Sequence, residues 1–346
     1  METKANETHR VLRFSLWSDG RTTLGQPVTT TTYKELMDEF CHADLLGFYG
    51  VWVSEHHGFD DGYLPAPFTF LAHIAARAEH LHLGTNLLLL PLWPVRLIAE
   101  ETAVLDVLSE GRFTLGVGLG YVQHEFAAFG VPRSQRKKRM EEAIPYLRAA
   151  FRGEHVPDGY NGAPLPVTPQ PAQGARLPIY MGANTEVALD RVARLADGFL
   201  ASGFLSDAPE QEVVNQWHIL QSHLKKYGRD STSFPIVLST HLWVSDDPER
   251  DWVTLLAPSM AYRQYVYAKM GTDVGKAMPA EPDPKSFKRE HFLVDTPDNV
   301  VKRLQDLQAQ VPFSELCFWS HPPGVPHQAV VENLERIARH VLPAFK

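Results

Sequence analysis

Cysteine is nearly absent: the 346-residue chain holds two, Cys41 and Cys317. Both sit in apolar contexts without metal-ligand spacing. That excludes a disulfide framework and points to a reducing compartment. Long apolar runs are absent too. The longest, LGTNLLLLPLW from residue 83, is broken by Asn86 and Pro91 and is too short to span a bilayer. The opening METKANETHR has no apolar stretch of signal-peptide type. Positive charge is not in excess: 33 Lys and Arg stand against 41 Asp and Glu, a formal net charge of −8. A broad basic face for nucleic acid is therefore excluded. The dense cationic run RSQRKKR at 133–139 opens a helical pattern and reads as a solvated helix face. No G-x-S-x-G elbow offers a serine nucleophile. What is left is a cytoplasmic protein with no membrane or nucleic-acid partner. Its 44% apolar content is enough for a large core.

What is present is a strict alternation. Apolar runs of strand length (VLRFSLW, YGVWVSE, LHLGTNLLLL, RFTLGVGLG, PIYMGA, GFLASG, PIVLSTHLWV, ELCFWS) are each followed by a helical pattern. In residues 32–47, for example, Leu36, Phe40, Ala43 and Leu46 recur at helical spacing. The strands are apolar throughout, as parallel strands covered on both faces should be. Eight such units predict an α/β fold, a (β/α)₈ TIM barrel in a single domain spanning 1–346. Residues 1–10 are its N-terminal tail. Residues 246–290 are too long for a connection and read as an irregular, lid-like insertion after strand seven, rich in proline and carrying Tyr262, Tyr265 and Tyr267.

The second strand ends in Ser54, Glu55, His56, His57. In such a barrel catalytic groups sit at the C-terminal strand ends, so these costly residues line the mouth and not the core. Strand alternation sends Glu55 and His57 one way and His56 the other, but at a strand end it does not decide which histidine faces the cavity. A metal is not expected. His80 and His82 lie at the start of the third strand, a strand length from His56 and His57. In MGANTEVALDRV, Gly182 and Ala183 turn the chain, and Asn184 or Thr185 caps the next helix. Its exposed N–H groups suit a phosphate or serve as an ordinary cap.

GFYGVWVSEHHG, then LHLGTNLLLLPLWPVRLIAEETAVLDVLSEGRFTLGVGLGYVQHEFAAFGV, together with PIYMGANTEVALDRVARLADGFLASG and the C-terminal stretch, resemble the bacterial luciferase-like flavin monooxygenases. The resemblance implies the same barrel, with FMN or a deazaflavin at its mouth. It puts the catalytic histidine on His56, with Glu55 orienting a neighbour, and a non-proline cis peptide behind the flavin at Asn86–Leu87. It puts a phosphate-side contact on Gly118, Leu119, Gly120 and Tyr121. Luciferase carries arginine where this chain has Leu119, which removes a charged phosphate partner and shifts that task to residues 182–185.

The implied activity is a two-component monooxygenase. A separate NAD(P)H:flavin reductase supplies FMNH₂, O₂ adds to form a flavin hydroperoxide, and a small hydrophobic or ring-bearing substrate is oxidised. Trp17, Trp93 and Trp319 are expected to line the substrate pocket and, with the insertion, to exclude water. The alternatives are deazaflavin-dependent hydride transfer and a non-catalytic flavin-binding partner subunit. The resemblance also implies a homodimer, built on the helices at 68–80 and 95–108.

Overall fold

The computed structural model describes residues 11–23, 25–157, 163–203, 206, 208–271 and 280–346. The tail at 1–10 lies outside them. Eight strands close a parallel barrel: β1 (Arg13–Ser18), β2 (Gly50–Val53), β3 (His82–Thr85), β4 (Phe113–Val117), β5 (Ile179–Gly182), β6 (Gly198–Ser202), β7 (Ile236–Thr240) and β10 (Glu315–Trp319). They run in chain order around the ring until β10 closes between β7 and β1. The expected (β/α)₈ barrel is the observed fold.

The outer helices are α1 (Thr30–Leu46), α2 (Pro67–Ala75), α3 (Val95–Leu108), α4 (Gln123–Ala128), α5 (Arg136–Phe151), α6 (Glu186–Leu195) and α7 (Pro209–Lys226). Beyond them come α8 (Pro248–Asp251), α9 (Ala257–Gly271), α10 (Pro297–Gln308) and α11 (His327–His340). Local signals start them. Thr29 and Thr32 form a reciprocal capping box on α1, and α2, α7 and α10 each begin with proline, whose missing N–H is not needed there. Among the described residues no helix is long and apolar enough to cross a membrane.

Two expectations are corrected around strand seven. PIVLSTHLWV is not one strand. It breaks at His241 into β7 and β8 (Leu242–Val244), and β8 leaves the barrel to pair in parallel with β9 (Leu293–Asp295). The insertion is not irregular over its first half. α8, a π-helical turn at Trp252–Leu256 and α9 follow without a break. Helix-forming residues and buried Trp252, Leu256, Met260 and Val266 outweigh Pro258, which falls in the first turn of α9. The cationic run is also only partly solvated: Arg139 turns inward and donates to the carbonyls of Pro91 (2.6 Å) and Trp93 (3.1 Å).

The barrel floor is a packed polar plug. Glu315 accepts from Ser15 Oγ (2.5 Å) and Trp52 Nε1 (2.6 Å). Trp52 lies over Gly84 of the neighbouring strand, where a Cβ would sit 2.2 Å from the indole. His82 stacks on Tyr49 and bonds Thr114; burial, with the charges of Arg13 and Arg112, pushes it down to about 4. The third strand's first histidine is thus a neutral structural group at the closed end.

Candidate active site

At the open end β2 runs into Glu55, His56 and His57, and the two histidines part company. Glu55 is buried. Its Oε1 accepts from His57 Nε2 (2.7 Å) and Trp93 Nε1 (2.8 Å), and its Oε2 from the Leu89 N–H (2.6 Å). Two of these bonds fix the chain after β3, and the third holds His57 beside it. Trp93 is thereby tied to Glu55 and packs on Phe129 and His57.

His56 turns the other way. Its Nδ1 is 2.7 Å from Glu125 Oε1, and the same oxygen accepts the His57 N–H at 2.8 Å. Glu125 comes from α4 and is fully buried, its Oε2 without a hydrogen-bond partner among the described residues. With a carboxylate oxygen opposite it, Nδ1 is placed to donate in this bond. Tyr63 (4.8 Å), Tyr121 (5.6 Å), Phe59 (5.7 Å) and Tyr267 (6.4 Å) stand edge-on around the imidazole. Tyr267 belongs to α9, so the insertion reaches this histidine. Its neighbours on that helix fasten it: Tyr262 donates to Asp61 Oδ2 (2.8 Å), and Tyr121 donates to Met270 Sδ (3.5 Å).

Of the residues expected to hold a cofactor, Leu87, Gly118 and Gly182 meet. The Asn86–Leu87 peptide is cis. Asn86 Nδ2 donates to Ser239 Oγ (2.8 Å), and Leu88 exchanges backbone bonds with Gly116 and Gly118 (2.9 Å each). The Leu87 side chain rests against two glycines: a Cβ on Gly118 or Gly182 would lie 2.8 or 2.6 Å from its Cδ1. Gly120 passes beneath the Phe126 ring, and Tyr121 follows it, half-exposed, its hydroxyl pushed well up by burial. Ala183 is buried, while Asn184 and Thr185 are exposed; Thr185, not Asn184, caps α6 by accepting from the Ala188 N–H (3.4 Å). Glu186 in the first turn already brings a negative charge to that helix end.

Trp17 of β1 and Trp319 of β10 pack with their rings 5.7 Å apart. Beside them lie buried Asp19, Arg21, Asp61, His241 and Arg263. Sequence reasoning missed these, and it missed Glu125. The signal was there for the first group: SDGR follows the first strand as SEHH follows the second. For Glu125 there was none, since it stands in a short helix with no spacing to His56.

A family model described as luciferase-like monooxygenase matches residues 12–312. The chain is 24% identical, over 96% of both chains, to the oxygenase component of the flavin-dependent trigonelline monooxygenase of Acinetobacter baylyi. It is 27% identical, over 91% of this chain and 96% of the relative, to an F420-dependent glucose-6-phosphate dehydrogenase of Beutenbergia cavernae. In fold it is similar to the FMN-bound oxygenating constituent of 3,6-diketocamphane monooxygenase from Pseudomonas putida, with a TM-score of 0.77 at 18% identity over 96% of this chain and 98% of the other. The barrel, its mouth and the match over residues 12–312 together make the chain a member of the luciferase-like monooxygenase family, an oxidoreductase.

Proposed function

We propose that the protein is the oxygenase component of an FMN-dependent, two-component monooxygenase acting on a small, ring-bearing organic substrate. The observation that carries this is the His56–Glu125 pair, buried among aromatic rings beyond the end of β2, the strand that neighbours the one leading into the Leu87 platform. The residues present fit a flat ring system: Leu87 lies against Gly118 and Gly182 with no side chain from either. They would hold the isoalloxazine, and Asn184 with the capped start of α6 would hold the phosphate. Bound reduced FMN supplies the electrons that activate O₂.

The chain's own residues do the rest. Glu125 fixes the ring proton of His56 on Nδ1, so Nε2 is free to hold or take a proton at the reacting edge. Glu55, through Leu89, Trp93 and His57, orients the segment that carries the platform. The rings of Phe59, Tyr63, Tyr121 and Tyr267 exclude water, and α9 closes over them as a lid. A reductase as source of reduced flavin is supported by the trigonelline relative being named an oxygenase component. Exposed Leu97, Val104, Val107 and Leu108 on α3 support a homodimer. The F420-dependent relative favours a second reading, hydride transfer from a deazaflavin. A non-catalytic subunit is disfavoured by the intact His56–Glu125 pair.

The test is hydrogen peroxide release when O₂ is admitted to protein pre-loaded with FMNH₂. Release at least tenfold slower than from free FMNH₂, and accelerated in His56→Ala, is expected. Release at the rate of free FMNH₂ refutes the monooxygenase reading.

A further inference from the structure

The β1 side of the mouth carries a buried polar cluster for which the flavin has no use. Arg21, on the loop after β1, has a side chain with no exposed surface. Its Nε lies 2.8 Å from an Asp19 oxygen and its Nη1 3.5 Å from Asp61, yet neither contact is directed as a hydrogen bond, and Nη2 has no acceptor among the described residues. Buried N–H groups without acceptors are costly. Of the nearby carboxylates, Asp61 is engaged by the Tyr63 N–H (3.2 Å) on Oδ1 and the Tyr262 hydroxyl (2.8 Å) on Oδ2, while Asp19 Oδ2 meets Arg21 Nε as an ion pair and has no directed hydrogen bond among the described residues.

The walls around this guanidinium are flat and aromatic. Its carbon is 5.0 Å from the Tyr63 ring centre and 5.5 Å from those of Tyr267 and Trp319. A second cation, Arg263 of α9, lies 4.6 Å over Tyr267 and 5.7 Å over Trp319. An arginine whose sole task was to latch α9 to the barrel would be expected to spend its N–H groups on α9, and this one does not. A guanidinium with an unmatched Nη2 and a set of aromatic rings thus meet beyond the C-terminal ends of β1 and β10, on the open side of the barrel.

We propose that Arg21 docks a carboxylate of the substrate, which makes the substrate class a flat, ring-bearing carboxylic acid. This rests on the mouth being the oxidoreductase site described above. The planar guanidinium matches a carboxylate in geometry as no ammonium would, and the ring of the acid stacks on Trp319 and Tyr267. Burial, with Asp61 adding to it, holds the Asp19 carboxyl above the usual range against the pull of Arg21, which eases the approach of a further anion.

The experiment is calorimetric titration of the full chain, with and without saturating FMN, using benzoate, its neutral isostere benzamide, and inorganic phosphate. Benzoate is expected to bind at least tenfold more tightly than benzamide, and equally well with FMN present. Arg21→Met should abolish that preference and Arg21→Lys should reduce it, with FMN binding retained. Removing Arg21 leaves Asp19 and Asp61 unbalanced, so Arg263→Gln is the companion variant should Arg21→Met not fold; it weakens benzoate and spares benzamide. Equal binding of benzoate and benzamide, no benzoate binding in the millimolar range, or benzoate affinity unchanged in Arg21→Lys and Arg263→Gln overturns the proposal. So does competition of FMN or phosphate with benzoate, because the cluster would then hold the cofactor's phosphate. Arg21-dependent benzoate binding by a protein that takes up no flavin leaves the carboxylate site standing and removes the flavin reading instead.

Discussion

His56→Ala and Glu125→Gln each break the same bond, so the two together should cost less than the sum of the two alone. Glu125 Oε1 receives two donors, His56 Nδ1 at 2.7 Å and the His57 N–H at 2.8 Å, in a site with no exposed carboxylate surface. Glu125→Gln keeps one oxygen and puts an amide NH₂ where the other was. That oxygen no longer carries charge, and any rotation of the amide sets donor against donor. A hydrogen bond to a charged group is worth about 1.5–3 kcal/mol, and a buried donor left unsatisfied costs about 1–3 kcal/mol. His56→Ala removes the ring and leaves Glu125 with the His57 N–H alone. In the double variant neither loss can be counted twice. A double-mutant cycle by urea unfolding should therefore return a coupling of about 1.5–3 kcal/mol. Nitrogen-15 spectra of the imidazoles should show the Nδ1–H tautomer of His56 in the parent protein and lose it in Glu125→Gln. Additivity within about 0.5 kcal/mol, or an Nε2–H tautomer in the parent, would refute the argument that Glu125 sets the proton of His56.

Two further outcomes follow from the packing. In Gly84→Ala the new methyl would start 2.2 Å from the indole of Trp52, a rigid and fully buried ring held by Glu315, so a loss of about 1–3 kcal/mol is expected by urea unfolding, and an unchanged midpoint would contradict the described floor of the barrel. The loop after β10 should loosen as pH rises. His321 points Nδ1 at buried Glu39 (2.8 Å) and Nε2 at the Val325 carbonyl (3.0 Å), two acceptors that together require a doubly protonated ring. Burial alone would pull this imidazole down, but Glu39 and the carbonyl outweigh it and hold it above the ordinary range. A raised folded-state value stabilises fully below the ordinary imidazole value of about 6.5, and that stability is lost as pH climbs through the raised one. Unfolding free energy should therefore fall with pH above neutrality, and Glu39→Gln should flatten that slope; an identical slope in the variant would show that the pair does not titrate as described.

The barrel could be read from the chain because the parallel strands are buried on both faces over most of their length, so their apolar residues cluster in short runs and do not alternate strictly with polar ones. The mouth was half legible. SEHH announced itself because ionisable groups at the end of an apolar strand need a reason, and the same reasoning applied to SDGR would have found Asp19 and Arg21. Glu125 was out of reach: its partner is 69 residues away, and only closure of the barrel brings them together. His57 and Trp93 look as functional in sequence as His56 and Trp17, yet they serve Glu55, because which face of a strand end turns inward depends on packing beyond the strand. The break at His241 was hidden because β8 is as apolar as β7, and an apolar run does not say which sheet it joins.

Equilibrium titration of the anaerobic protein with FMN, FMNH₂ and the reduced deazaflavin tests the central claim most directly. The account predicts that FMNH₂ binds at least tenfold more tightly than the other two, a difference of about 1.4 kcal/mol. Tighter binding of the deazaflavin would contradict the oxygenase reading in favour of hydride transfer. Binding of none of the three would contradict the assignment of Leu87, Gly118 and Gly182 as a flavin platform.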